Sequence, residues 1–233
     1  SGEMILFISK RKTNKLLVKQ NAEIREQKNQ IDRQNEKITE SIFYAKNIQD
    51  AVLSVREGTE LPFESFIIFK PKDIVSGDFI WYTNITTKQG DTNHIIAVVD
   101  CIGHGVPGAF MSVIGYNILD ELVKEKHIHQ PEKILYHLNR RIFNILKPET
   151  TENAVGMDIA VCNIRKNKKN ESFHVDFSSA NRPFLYFDAV NNNYSYIKGD
   201  KLSIADIQKV TPDSTFSAKE FHLNAHDLIF LFS

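Results

Sequence analysis

Ile95-Ile-Ala-Val-Val-Asp-Cys-Ile-Gly-His-Gly-Val-Pro-Gly-Ala-Phe-Met-Ser112 changes character twice within a short span. An unbroken apolar run up to Val99 reads as a buried strand, and it stops at a carboxylate, Asp100. Gly103, Gly105 and Gly108 then form a turn that admits close backbone approach, and Pro107 suits the first turn of a helix. Just upstream, Phe69-Lys-Pro-Lys-Asp-Ile-Val-Ser-Gly-Asp-Phe-Ile-Trp81 places Asp73 and Asp78 on either side of a tight Ser-Gly step that opens another strand. Carboxylates at strand ends can converge on one site. Aspartate and backbone carbonyl oxygens are hard ligands suited to magnesium or manganese, and no His/Cys spacing in the sequence offers a zinc alternative. Two such ions about 3.5–4 Å apart can activate a water and stabilise an in-line phosphoryl displacement. An aspartate before a turn also serves as a cap or an Asx turn, and for each acid taken singly that reading stays open.

The glycine-rich turn lacks the Lys-Ser/Thr ending of a nucleotide-binding loop and the glycine spacing of a dinucleotide fold. His104 is a candidate general acid or a turn-forming polar residue. Cys101 has no Cys/His/Asn arrangement around it, so its backbone carbonyl is the more useful group.

Outward from these segments the chain is α+β. Strands are expected at 65–69, 79–83 and 94–99, followed by helices over 108–124 and 131–146. The first helix carries Met111, Ile114, Ile118 and Leu122 on its core face, and the second Leu135, Leu138, Ile142 and Ile145. Strands return at 157–164, 172–177, 184–187, 194–197, 219–223 and 228–232. The connections at 165–170 and 191–193 favour antiparallel hairpins, and the alternating pattern of a parallel doubly wound sheet is missing.

The 233 residues, 42% hydrophobic and 25% charged, suffice for one sizeable core and exclude a disordered or fibrous chain. Twenty-nine basic residues balance 29 acidic ones, so no net field draws in nucleic acid. Two cysteines, Cys101 and Cys162, are too few for a disulfide framework and point to a reducing, cytoplasmic setting. The longest apolar runs, 4–8 and 95–99, fall far short of the roughly 20 residues of a membrane span. Residues 1–9 read as an expression scar or as the inner end of a membrane helix, given the Lys10-Arg-Lys12 that follows.

Residues 10–56 contain neither Pro nor Gly and read as one long helix, a signalling linker. Leu17, Ile24, Ile31, Ile38, Ala45 and Val52 recur every seven residues, the spacing of a supercoiled dimer seam. A solvated single helix is the alternative. Apolar density rises through Ile42, Phe43, Ala45, Ile48, Ala51, Val52 and Val55, so the last turns are expected to pack on the globular domain. Glu57-Gly-Thr-Glu-Leu-Pro62 ends the helix, and the globular domain is expected over 62–233.

Val75-Ser-Gly-Asp-Phe79, Asp100 to Ser112, Gly156-Met-Asp158, Ala180-Asn-Arg-Pro183, Gly199-Asp-Lys201 and Asp227 to Ser233 together resemble the bacterial stage II sporulation E-type phosphatases. These are a branch of the metal-dependent, protein phosphatase 2C-like (PPM) serine/threonine phosphatases. The helix ending in Ser41 to Val52 is similar to the linker preceding that domain in multi-domain signalling proteins. The resemblance implies an antiparallel β-sandwich flanked by helices, two manganese or magnesium ions, and release of phosphate from phosphoserine or phosphothreonine on a protein. A phosphorylated antagonist of an anti-sigma factor is one implied substrate, and an upstream sensor or membrane domain an implied partner. Carried over, Asp100 bridges both metals, the Cys101 carbonyl binds one, and Asp78 holds the site directly or through water. Lys72 is a candidate phosphate contact, with a solvated surface lysine as the alternative.

Two departures stand against the family pattern. Val155 replaces a common aspartate, and two further aspartate ligands are expected after the last strand, where this sequence reaches Ser233. Asp78 and Asp100 alone offer two negative charges to two divalent ions, so weak or partial metal occupancy and low activity are expected of this chain. A non-catalytic pseudophosphatase that dimerises through the coil is the rival reading. If the heptad positions form a seam, replacing Ile24, Ile31 and Ile38 by Lys should yield a monomer by light scattering; an unchanged mass would remove the seam.

Overall fold

The computed structural model describes residues 2–53, 63–87, 90–146, 156–167, 172–206 and 208–233. Two compact units are present, 1–45 and 46–233. Helix α1 (Gly2–Leu53) runs through the first and contributes its last turns to the second. Beyond Gly2 its sequence has neither Gly nor Pro, which sustains the ladder without interruption. In the first unit Leu17, Ile24, Ile31 and Ile38 are all exposed, the last at 58%, while Ala45 is half-buried. In the second unit Val52 is half-buried too and Leu53 packs against the core. Phe43 and Ile48, expected to pack, remain about half exposed, at 52% and 50%. The expected helix break at 57–62 lies outside the described residues, as does Val155.

The globular unit continues with β1 (Phe79–Thr86), β2 (Thr92–Cys101), α2 (Val106–Asp120) and α3 (Pro131–Leu146). After these come β3 (Met157–Lys166), β4 (Phe173–Ala180), β5 (Phe184–Asp188), β6 (Asn193–Ile197), β7 (Lys219–Leu223) and β8 (Leu228–Leu231). A five-stranded sheet in the order β1-β2-β3-β4-β7 faces a three-stranded sheet in the order β6-β5-β8. Every strand pairing within the two sheets is antiparallel. The expected α+β sandwich with flanking helices is therefore the observed architecture.

Strand alternation divides the core in two. On one face Trp81, Ile95, Ala97, Val99, Ile159 and Val161 pack with Ile118, Leu119, Leu135 and Leu138 of the helices. On the other Cys162, Ile164, Val175 and Phe177 meet Phe184 of the second sheet, with the Phe177 and Phe184 rings 5.1 Å apart. Two expectations fail locally. Residues 65–69 form no strand: Phe66, Ile67, Ile68 and Phe69 are exposed, and no described strand pairs with them, so β propensity there finds no ladder to join. Ile145, placed on the core face of α3, is 51% exposed, and Leu146 packs against the core in its stead.

One buried amide fixes the segment that braces the start of β3. Asn139 of α3 is fully buried; its Nδ2 donates to the Thr211 carbonyl at 2.7 Å, and its Oδ1 accepts the Ala205 N–H at 2.9 Å. Ile204, next in the same segment, exchanges backbone hydrogen bonds with Met157. Asn139→Leu should strand both backbone groups and lower stability by about 2–4 kcal/mol, read as a fall in the urea midpoint.

Candidate active site

Register lines up three carboxylates. β1 begins with Phe79 opposite Val99, so Asp78 is the next residue toward Asp100, and Asp100 is itself paired with Asp158 across β2 and β3. Asp78 is half-buried and accepts a hydrogen bond from the Ser233 hydroxyl at 3.1 Å. Asp158 Oδ2 accepts from Asn181 Nδ2 at 2.8 Å, whereas Asp158 Oδ1 is buried with no hydrogen-bond partner among the described residues.

Like charges on adjacent strands repel unless a cation joins them. That cation is Arg182: its Nη2 forms an ion pair with Asp100 Oδ2, and its Nε stands 3.8 Å from Asp158 Oδ2. Burial pulls the guanidinium below its ordinary pKa, and the nearby Asp78 charge acts in the opposite sense. Arg182 is aimed by the turn Ser179 to Pro183. Ser179 Oγ bonds to both the carbonyl and the N–H of Arg182, and Asn181 adopts a left-handed φ of 59°. Asp200 holds this turn from outside, exchanging backbone bonds with Ser179 and Asn181 and accepting from the N–H and hydroxyl of Ser217. Three of the motifs quoted above therefore meet around Asp100.

The glycine-rich turn lets the backbone come together beside these acids. A Cβ on Gly108 would lie 2.5 Å from the Gly103 carbonyl oxygen and 3.1 Å from Gly77 Cα, so only glycine fits where α2 starts. Gly77 sits against the Cys101 carbonyl, which a Cβ there would approach to 3.3 Å. Burial, with Asp78 nearby, pushes the Cys101 thiol pKa far up, so its sulfur stays protonated and is no nucleophile. His104 is exposed on this turn, with Nδ1 3.3 Å from Asp73 Oδ2, and Lys72 is an exposed residue of the loop leading in.

Gln49, near the end of α1, had no signal in the sequence beyond being polar among apolar neighbours. It is 4% exposed. Its Nε2 donates to the Ser76 carbonyl at 2.7 Å and to Ser112 Oγ at 2.8 Å, and its Oε1 accepts the Ser76 N–H at 3.0 Å. Ser76 Oγ in turn accepts the Asp78 N–H at 3.1 Å. One amide thus fixes both backbone groups of the residue that sets Asp78, and it ties them to α2.

The donor set is all oxygen, the kind that holds magnesium or manganese. Three carboxylates against one guanidinium leave two negative charges uncompensated, and Asp158 Oδ1 lacks a partner; by charge and donor type these residues fit a divalent cation. Among the described residues the three acids do not bring three ligand oxygens within 4.8 Å of one another, so the Cys101 carbonyl and water would complete such a shell.

The family model of Stage II sporulation protein E (SpoIIE) matches residues 90–233, more than half of the sequence. The chain belongs to the SpoIIE family. The Asp78 loop precedes the matched span. Among solved structures, the SiaA-PP2C domain of Pseudomonas aeruginosa is 27% identical with a TM-score of 0.67, over 84% of this chain and 72% of that one. The RsbU and RsbW domains of a Mycobacterium tuberculosis protein are 16% identical with a TM-score of 0.47, over 68% of this chain and 38% of that one. The phosphatase domain of SpoIIE from Bacillus subtilis is 20% identical with a TM-score of 0.34, over 70% of this chain and 61% of that one. No curated protein sequence matches the chain. The globular unit is a PP2C-like domain of SpoIIE type. No helix of the described residues is long and apolar enough to cross a membrane.

Gln49→Met keeps length but removes the hydrogen bonds. The variant should lose about 2–4 kcal/mol and exchange the Ser76 amide hydrogen at least tenfold faster, measured by thermal unfolding and by hydrogen exchange.

Proposed function

We propose that this SpoIIE-family chain is a metal-dependent phosphoserine/phosphothreonine protein phosphatase of a signalling pathway, with a homodimer seam along α1. The observation carrying the reading is the row Asp78, Asp100, Asp158 with one cation, Arg182, among them. Asp78, Asp100 and the Cys101 carbonyl are the groups that would hold manganese or magnesium. Bound there, the ion supplies Lewis-acid charge and a more acidic coordinated water.

The chain's own residues have distinct tasks. Asp100 and Asp78 supply the negative charge that selects a cation, and Gln49 keeps Asp78 in place through Ser76. The Arg182 fork, paired with Asp100 in this structure, has the shape that matches the oxygens of a phosphoryl group, and it would be available to one if Asp100 were engaged by a bound cation. Gly103, Gly105 and Gly108 keep side chains away from the site mouth. Neither cysteine thiol takes part: both are free and buried, in keeping with a reducing cytoplasmic setting. A phosphorylated antagonist of an anti-sigma factor is a substrate of the right class.

One observation favours a non-catalytic interaction module instead: Arg182 already neutralises Asp100 within the fold. Manganese-dependent phosphate release from a phosphoserine peptide separates the two readings. The phosphatase should show it, and Asp100→Asn should lower it by roughly two orders of magnitude. Folded protein without manganese-dependent release would overturn catalysis by this chain, the outcome that both the module and the low activity expected from two aspartate ligands share.

A further inference from the structure

A second group of metal-ligating side chains lies on β4 and β7, at the edge of the five-stranded sheet. The register sets His174 opposite His222 and Asp176 opposite Glu220, so two imidazoles and two carboxylates share one face of a two-stranded ribbon. Arg165, opposite His174 on β3, joins them. Asp158 and Arg165 are seven residues apart on β3, which puts the group roughly 24 Å from the acidic row.

His174 Nε2 is 2.7 Å from Asp176 Oδ1 and 3.9 Å from Glu220 Oε2. One ligand atom from each of the three residues lies within 4.8 Å of the other two. Oxygen and nitrogen ligands about 2.0–2.1 Å from a tetrahedral zinc are about 3.3 Å from each other, so the first separation need open, and the second close, by only about 0.6 Å. The outer contacts suit this use. His174 Nε2 is hydrogen-bonded to Asp176 Oδ1 in this structure, and a shift of the ring proton to Nδ1, 3.4 Å from the acceptor His222 Nε2, would free Nε2 to ligate. Asp176 Oδ2 accepts from Arg165 Nη2 at 2.7 Å, which orients the carboxylate and leaves Oδ1 for a metal.

Charge points the same way. Asp176 and Glu220 face each other directly, a destabilising pair unless a cation joins them, and among the described residues the Arg165 side chain pairs with Asp176 and not with Glu220. Glu220 is 71% exposed at its side chain and has room to swing inward. The sequence held no zinc spacing because the ligands come from two strands more than forty residues apart.

We propose that His174 Nε2, Asp176 and Glu220 form a zinc site that staples β7 to β4, with His222 and Arg165 orienting two of the ligands and water in the fourth position. Imidazole with two carboxylates suits zinc, which outcompetes manganese for such donors. This site is independent of the phosphatase reading.

Competition with a chromogenic zinc chelator tests it on the full chain, in Asp100→Asn so that the acidic row is weakened as a rival sink. One zinc per chain should bind in that background. Adding Glu220→Gln, at an exposed position that folding tolerates, should weaken it at least tenfold, as should His174→Gln, while zinc should raise the melting temperature only where all three ligands are kept. No zinc binding in Asp100→Asn, or binding unchanged by both ligand substitutions, would overturn the site.

Discussion

Antiparallel register is the constraint from which the site follows. Once Phe79 is set against Val99 and Asp100 against Asp158, two acids are paired at one end of the sheet and Asp78, one residue before β1, stands next in the row. A protein interior does not leave such a row uncompensated. Arg182 is held there by a turn that needs a left-handed Asn181 and the outer bracing of Asp200. The turn at 179–183, with Asp200 and Ser217 behind it, serves to deliver one guanidinium.

The backbone beside the acids is set by exclusion of side chains. Gly77, Gly103 and Gly108 allow the Asp78 loop, the turn after β2 and the first turn of α2 to touch backbone to backbone. Such contact would leave polar groups dry, and Gln49 supplies the missing partners for Ser76. A residue of the long helix is therefore part of the frame of a site made otherwise from sheet and loop.

The strands and both core helices were legible in the sequence because period 2 and period 3.6 record directly which face is buried. Asp78 and Asp100 stood out for a related reason, since each sits where an apolar strand meets glycine. Asp158 lies in the Gly156-Met-Asp158 motif, but nothing local marks it as part of the site, because its place beside Asp100 depends on which residues pair across β2 and β3. Arg182 was hidden similarly, its direction being set by a turn whose φ values no periodicity reports. Gln49 illustrates a stricter limit: a buried glutamine near the end of a largely solvated helix looks like an exposed one until its distant partners are known. Residues 65–69 failed in the opposite sense, with strong strand propensity and no described neighbour to satisfy it.

That last segment has a consequence for handling the protein in solution. Phe66-Ile-Ile-Phe69 offers four consecutive large apolar side chains to water, 51–84% exposed, with uncharged composition and high β propensity. Such a run is a template for intermolecular cross-β association. Glu64 on one side and Lys70-Pro71 on the other are the residues that oppose it, by charge and by a missing N–H. Colloidal stability of the chain rests on these three gatekeepers more than on its net charge, which is zero.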